Sequence, residues 1–200
     1  HDMLVKMFPD GVPPNVWVGA TICNQDEARR DIIKLLQVKS MLGLSKVFLS
    51  IEPMLGAVDL AHIQLAHSML NAFTGVEIDE LGECGWCVGV DFVICGGESG
   101  SKARPLHPDW VRLLRDQCAA HGVTFHFKQW GEYLPVFDRD VEDPDWRNCG
   151  RWQHERPKGR WHNLAGGTGF HGDRVVYVDR VGTRKAGHLL DGVEHREMMA

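Results

Sequence analysis

The sequence predicts an α/β fold in which helices cover a parallel β-sheet, and three observations support this fold class. Four short apolar runs alternate with helix-like or polar segments over the first 131 residues. The runs are continuously apolar, which is typical of strands that are buried on both faces of a parallel sheet. A polar residue follows each run, and the carboxyl ends of parallel strands are where α/β proteins bind ligands.

The first predicted strand spans residues 15–21 and leads into a helix. Asn24 is a favourable N-cap residue, and Glu27 stands at the spacing of a capping box. The helix is predicted from apolar residues at helical spacing, namely Ala28, Ile32, Ile33, Leu35 and Leu36.

The second predicted strand spans residues 46–51 and ends at Glu52. Pro53 restricts Glu52 to an extended backbone conformation, which would direct its carboxylate outward from the strand end. Asp59 is a suitable N-cap, and the apolar residues between positions 60 and 73 predict a second helix.

The third and fourth predicted strands complete the pattern. Residues 92–95 lead into Gly96-Gly97-Glu98 and then into a helix that begins at Pro108. Residues 123–127 lead into Lys128-Gln129-Trp130-Gly131, and no clear helix follows them.

Two regions are predicted along the chain. Residues 1–131 hold about four βα units, whereas a complete β/α barrel needs about 250 residues. They therefore form either a small open sheet or half of a partial TIM-like barrel, whose edge strands would make the isolated chain oligomerise or aggregate. Residues 132–200 are rich in Trp, His and Arg and are predicted to form an irregular extension that packs on the barrel, with a short strand at 175–178.

Composition indicates a cytoplasmic protein without membrane contact. No apolar run is long enough to span a membrane, and no signal-peptide pattern is present. The six scattered cysteines fit a reducing compartment rather than a disulfide framework. Because the chain begins with His1 rather than Met, it is expected to be a fragment of a longer protein.

The net charge of −5 is unevenly distributed. From position 147 to 196, ten Lys or Arg against five Asp or Glu give +5, and the remaining twelve against twenty-two give −10. A basic C-terminal region on an acidic body is compatible with an anionic partner, such as nucleic acid or a nucleotide. A solvated tail is the alternative, because the cations are spread out rather than clustered.

Glu98 and Glu52 are the main candidate ligand-binding residues. The glycines before Glu98 allow the backbone to approach a ligand, and its carboxylate can accept hydrogen bonds from an ammonium group or ribose hydroxyls. Arg104 and Lys128 are candidates for binding an anionic group. The structural alternatives are a turn in which Glu98 accepts backbone N–H groups, and ion pairs among these four side chains.

Cys84 and Cys87 form a C-x-x-C pair, but a tetrahedral zinc site usually takes two such pairs and no second pair exists. No metal site is therefore predicted from this chain, and His107 or Cys149 would complete one only if the fold brought it to this pair. The motifs of serine hydrolases, P-loop nucleotide triphosphatases, dinucleotide-binding proteins and zinc proteases are absent.

Five blocks in this order resemble the C-terminal part of a phage- and bacteria-associated protein family of unknown function. That family is similar to radical S-adenosylmethionine enzymes. The blocks are "PNVWVGATICNQ", "KVFLSIEPMLGAVDL", "DFVICGGESGSKARPLHPDWVRLLRDQC", "TFHFKQWGEY" and "RVGTRKAGHLLDG". Together they cover nearly the whole chain and are specific, although no single block is.

The resemblance implies a partial β/α barrel whose N-terminal part carries three closely spaced cysteines that hold a 4Fe–4S cluster. The cluster would bind S-adenosylmethionine and cleave it to a 5′-deoxyadenosyl radical. Since the three-cysteine motif is absent from this chain, the cluster ligands and the N-terminal half of the barrel are expected in a preceding segment. The chain alone is then expected to be inactive.

The resemblance also assigns roles to the residues at the strand ends, although it assigns no catalytic residue. Cofactor binding is expected of Asn24, Glu52, Glu98 and Ser99. Substrate binding is expected of Arg104, Lys128 and Trp130. The expected substrate class is nucleic acid or a nucleotide.

Two other functions stay open. The chain would be a non-catalytic module if its basic, Trp-rich tail binds nucleic acid or a partner protein. It would be a small β/α hydrolase or isomerase, active without iron, if Glu52 and Glu98 perform acid–base catalysis.

Overall fold

The fold was analysed in a computed structural model, which describes residues 2–85, 88–139, 146–169 and 174–198. The helices in chain order are α1 (Asp2–Met7), α2 (Gln25–Leu42), α3 (Pro108–Ala120), α4 (Trp146–Glu155) and α5 (Thr183–Ala186). The first eight strands are β1 (Val18–Thr21), β2 (Val47–Ile51), β3 (Ile63–Gln64), β4 (Met69–Leu70), β5 (Val76–Asp79), β6 (Gly82–Gly85), β7 (Phe92–Gly96) and β8 (Thr124–Gln129). The remaining strands are β9 (Tyr133–Arg139), β10 (Arg160–Asn163), β11 (Val175–Arg180), β12 (Leu189–Leu190) and β13 (Val193–Glu194).

A parallel sheet of four strands, in the order β1-β2-β7-β8, confirms the predicted α/β class. Its register aligns Ala20 with Leu49, Leu49 with Val93, and Val93 with Phe125. The sheet is therefore built in chain order, and all four carboxyl ends lie at one edge. Among the described residues the sheet is open, with β1 and β8 as its outer strands, and it closes no barrel.

The helices α2 and α3 pack against the sheet and begin where the sequence predicts. The Asn24 side chain accepts a hydrogen bond from the Glu27 N–H at 3.0 Å, as an N-cap should. The Glu27 carboxylate accepts the Cys23 N–H at 2.7 Å, one residue earlier than in a capping box. Pro108 occupies the first turn of α3, whose apolar face includes the fully buried Trp110.

The helix predicted between positions 60 and 73 is wrong, because this segment forms the first two strands of a small antiparallel sheet, β3-β4-β5-β6. The Asp59 side chain accepts the N–H groups of Ala61 and His62, which makes a turn rather than a helix cap. Asn71 does the same for the next turn, which Gly75 closes with a φ of 71°. The crossover from β2 to β7 therefore contains a sheet in place of a helix.

The C-terminal region is more regular than the sequence predicts. An antiparallel sheet of three strands, β10-β11-β9, occupies much of it. One group of buried side chains in this region contains Trp161, Val175 and Tyr177, and another contains Ala103, Tyr133, Val176 and Val178. The alternation along β11 thus buries side chains on both faces of the sheet β10-β11-β9.

Backbone and side-chain hydrogen bonds join the C-terminal region to the parallel sheet. The Trp110 indole N–H donates to the Leu164 carbonyl at 2.8 Å. The Phe127 N–H on β8 donates to the His195 carbonyl at 2.7 Å, so the C-terminal segment lies along that outer strand. No helix in the described part of the chain is long and apolar enough to cross a membrane.

Candidate functional site

Polar residues that follow three of the four parallel strands meet at one edge of the sheet, which we call the carboxyl edge. Glu52 follows β2, Glu98 lies just beyond β7, and Lys128 and Gln129 end β8. The strand order and register bring these residues together because parallel neighbours end on the same side. This convergence is what the sequence predicts.

Glu52 lies at the centre of the carboxyl edge and contacts two side chains of β8. Its Oε2 lies 2.9 Å from the Lys128 ammonium, and its Oε1 accepts the Gln129 amide at 3.3 Å. The Glu52 carboxyl also packs over Gly96, where a Cβ would lie 3.2 Å from Glu52 Cδ. Gly96 thus leaves room for this carboxylate, and the alternative of an ion pair with Lys128 is realised.

Glu98 is held by its own loop. Its Oε2 accepts hydrogen bonds from Arg104 Nε at 2.8 Å and from the Arg104 backbone N–H at 2.9 Å, and its Oε1 accepts Nη2 at 3.0 Å. The hydrogen bonds from Arg104 lower the pKa of Glu98. Glu98 is therefore a carboxylate at neutral pH, which suits hydrogen-bond acceptance better than proton donation.

The glycines beside Glu98 serve backbone packing. A Cβ on Gly97 would overlap the Trp130 carbonyl, and one on Gly131 would overlap the Glu98 carbonyl. The Gly97 N–H donates to the Gln129 carbonyl at 2.8 Å. The ends of β7 and β8 are consequently locked together, so the position of Glu98 is fixed by the backbone.

Ser99 extends the carboxyl edge toward α5. Its hydroxyl accepts the Gln129 amide at 3.3 Å and lies 3.5 Å from the Thr183 hydroxyl. Thr183 in turn donates to Glu132 Oε1 at 3.1 Å. Sequence reasoning missed Glu132 and Thr183, and the only local signal was that Glu132 directly follows the strand-end segment.

Two of the predicted site residues make structural contacts of their own. Asn24 uses its side-chain oxygen to cap α2. Trp130 is 4% exposed, packs edge-on against Phe127, and donates its indole N–H to the Leu189 carbonyl at 2.9 Å. The packing of Trp130 is that of a core residue.

The chain matches, over residues 1–199, the family described as "Protein of unknown function (DUF5131)". It belongs to this family. Comparisons with curated proteins and with solved structures returned no significant match.

Of the six cysteines in this DUF5131 chain, the structure describes the side chains of Cys23, Cys95 and Cys118, which are free thiols. Among the described residues, no three His, Cys, Asp or Glu side chains lie together in a way that could hold a metal ion. Cys95 and Cys118 are buried, and burial raises the pKa of both thiols, that of Cys118 to about 12. The Cys84 side chain and all of Cys87 lie outside the described residues.

Proposed function

We propose that this DUF5131 chain is the C-terminal portion of a radical S-adenosylmethionine-like enzyme, and that its carboxyl edge binds the cofactor. One observation carries this proposal. The edge places two carboxylates and their cations beside a hydroxyl and an amide, at the end of a parallel sheet where α/β enzymes bind ligands.

The chemistry of S-adenosylmethionine fits such a mixed set of charges. Its amino acid part carries an ammonium and a carboxylate. Its ribose carries two hydroxyls, which can donate hydrogen bonds to carboxylates. The Lys128 side chain is 55% exposed and that of Glu52 is 20% exposed. Because Lys128 is exposed, this ion pair contributes little stability, and a ligand ammonium can take the place of Lys128 on Glu52.

The iron–sulfur cluster would bind outside the described residues, since these offer no suitable set of ligands. In radical enzymes a bound cluster supplies the electron that cleaves S-adenosylmethionine. The residues of this chain would hold and orient the cofactor through Glu52, Glu98 and Ser99. Arg104 and Lys128 would bind an anionic part of the substrate, for which nucleic acid or a nucleotide is the proposed class.

S-adenosylmethionine binding by the whole protein tests the assignment of the edge. We expect Glu52→Gln and Glu98→Gln each to weaken binding about tenfold, the effect of losing one charge-assisted hydrogen bond. Glu155→Gln is the matched control, because it also removes a Glu–Arg pair but on α4. Calorimetric titration that gives equal affinities for the two edge variants and the wild type would refute binding at this edge.

A second candidate function, nucleic-acid binding without catalysis, is favoured by two adjoining clefts of about 500 and 590 Å³. Both clefts are lined by Lys158 and Arg180, and Lys185 lines the first. Cations outnumber the carboxylates in both linings. The carboxylates are Glu155 and Asp179 in the first cleft and Glu132 in the second. Charge reversal at Lys158 and Lys185 would abolish binding of single-stranded DNA in this case. The same DNA would bind Glu98→Gln normally.

A further inference from the structure

A small cavity lies between the loop that carries Arg104 and the C-terminal sheet. It has a volume of about 210 Å³, and its lining includes Arg104, Trp110, Arg160, His162 and Thr168. Arg104 links the cavity to the carboxyl edge, because its guanidinium also holds Glu98. Arg160 and His162 come from β10, which is distant in sequence from the four parallel strands.

His162 is the unusual member of the cavity lining. The residue is 3% exposed, and within the described part of the chain its Nε2 has no hydrogen-bond partner. A buried polar atom without a partner is costly, and such atoms in native proteins commonly mark a position that a ligand or water occupies. The cavity beside His162 offers the space for such a ligand.

His162 is also neutral at physiological pH. Burial, followed by the neighbouring His107, lowers the pKa of His162 to about 4, and a contact of the ring with the Gly167 backbone opposes this shift only in part. A neutral imidazole has one nitrogen that donates and one that accepts. Its unpartnered Nε2 therefore needs either an acceptor or a donor from the ligand, according to the tautomer.

Both arginines have donors that face no acceptor among the described residues. Arg104 donates hydrogen bonds from Nε and Nη2 to Glu98, so its Nη1 remains available to a ligand. Arg160 donates a hydrogen bond from Nη2 to the Tyr133 hydroxyl, and its Cζ lies 4.9 Å from the centre of that ring. Its Nε and Nη1 remain available to a ligand. The positive charge of Arg160 is close enough to His162 to contribute to its lowered pKa.

We propose that this cavity binds a phosphoryl group, with Arg104, Arg160 and His162 as its ligands. A tetrahedral group with several oxygens can contact guanidinium groups on different elements, whereas one guanidinium satisfies both oxygens of a carboxylate. A monoprotonated phosphate also carries both acceptor oxygens and a donor hydroxyl, so it satisfies either tautomer of His162. A carboxylate offers acceptors alone.

Phosphate binding here goes beyond the proposed radical chemistry and requires neither S-adenosylmethionine nor a cluster. A phosphorylated substrate at this cavity would lie beside the carboxyl edge, because Arg104 belongs to both. Failure of one assignment leaves the other intact, since they are measured with different ligands.

The test is calorimetric titration of the whole protein with inorganic phosphate at pH 6.5, with acetate as the comparison anion. We expect phosphate to bind, and Arg160→Gln to weaken it about tenfold or more. Lys158→Gln is the matched control, because it removes a cation two residues away that does not line this cavity. Its phosphate affinity should stay within about twofold of the wild type.

A second measurement covers the case in which Arg160→Gln is unfolded. The ring nitrogen signals of His162, assigned with His162→Gln, should shift on addition of phosphate in ¹⁵N-labelled wild-type protein. No phosphate binding, equal weakening by Lys158→Gln, or preferential binding of acetate would each overturn the assignment. Unchanged His162 signals at saturating phosphate would do so as well.

Discussion

At the scale of single residues, the two carboxylates of the carboxyl edge are each compensated by a cation. Glu98 has a bidentate guanidinium and a backbone N–H, and Glu52 has an ammonium and an amide. A carboxylate beside buried strands needs such partners. The side chains of Lys128 and Arg104 are both more than half exposed. A cationic group of a ligand can therefore replace either of them beside its carboxylate.

Gly97 permits a backbone contact that no other residue can make at this position. We expect Gly97→Ala to lower the free energy of unfolding by about 2 kcal/mol or more, because its Cβ would overlap the Trp130 carbonyl. Gly56→Ala is the control, since nothing lies within 4 Å of a Cβ there. Urea denaturation measures the free energy of unfolding of both variants. Similar midpoints for the two would contradict the packing described for β7 and β8.

His162 makes stability depend on pH. Its pKa is about 4 in the folded protein against about 6.5 when unfolded, so the unfolded state binds more protons between these values. The contribution of His162 to stability should therefore fall by about 2 kcal/mol between pH 7 and pH 5 in phosphate-free buffer.

Thermal melts of His162→Gln should show a smaller loss over this pH range than the wild type. His67→Gln, which changes an exposed histidine, should keep the wild-type slope. Identical pH slopes for all three proteins would show that His162 titrates normally and is not buried as described.

The glutamates at the strand ends could be predicted from the sequence, because Glu52 follows an apolar run directly and Glu98 follows one after two glycines. Their partners were predicted only as alternatives, since a single sequence does not show which cation reaches which carboxylate. Arg160 and His162 could not be predicted as part of a cavity with Arg104. They are brought there by β10, and no local motif connects them to the carboxyl edge.

At the scale of elements, the predicted second helix shows why apolar spacing can mislead. Ile63 and Leu70 fit one face of a helix, but both are fully buried as members of two short antiparallel strands. The deciding residues are Asp59 and Asn71, whose side chains hold turns. An Asp or Asn side chain can accept neighbouring backbone N–H groups either in a turn or at the start of a helix. Tertiary packing determines which of the two structures forms.

The helix α2 depends on its N-cap. We expect Asn24→Ala to destabilise the protein by about 1 kcal/mol because the Glu27 N–H loses its acceptor. Asn24→Asp, which keeps an oxygen acceptor, should retain the stability. If Asn24 also binds the cofactor, both variants should weaken S-adenosylmethionine binding, whereas a pure cap would leave the affinity of Asn24→Asp unchanged. Chemical denaturation and calorimetry separate the two roles.

At the scale of the whole molecule, the two outer strands of the parallel sheet, β1 and β8, differ in what lies beside them. Along β8, the C-terminal segment pairs through His126 and Arg196. At β1, in the described residues, an apolar groove of about 320 Å³ lies beside the strand, lined by Met3, Leu4, Val18, Ala20, Asp31, Lys34, Leu35 and Val38. An outer strand beside an open apolar groove is a site where another protein chain can associate.

Residues 1–200 expressed alone should therefore self-associate, whereas the whole protein should be monodisperse if a further strand covers β1. Light scattering after size-exclusion chromatography measures this at several concentrations. A monomeric chain of 200 residues that melts cooperatively would contradict the half-barrel interpretation and favour the small open sheet.

Cofactor cleavage would show whether the protein that contains this chain is the radical S-adenosylmethionine-like enzyme that we propose. The whole protein would be reconstituted anaerobically with iron and sulfide, reduced, and assayed for 5′-deoxyadenosine. We expect cleavage that requires three closely spaced cysteines N-terminal to this chain and that is reduced by Glu98→Gln but not by Glu155→Gln. No 5′-deoxyadenosine from a protein with a fully assembled cluster would contradict this proposal.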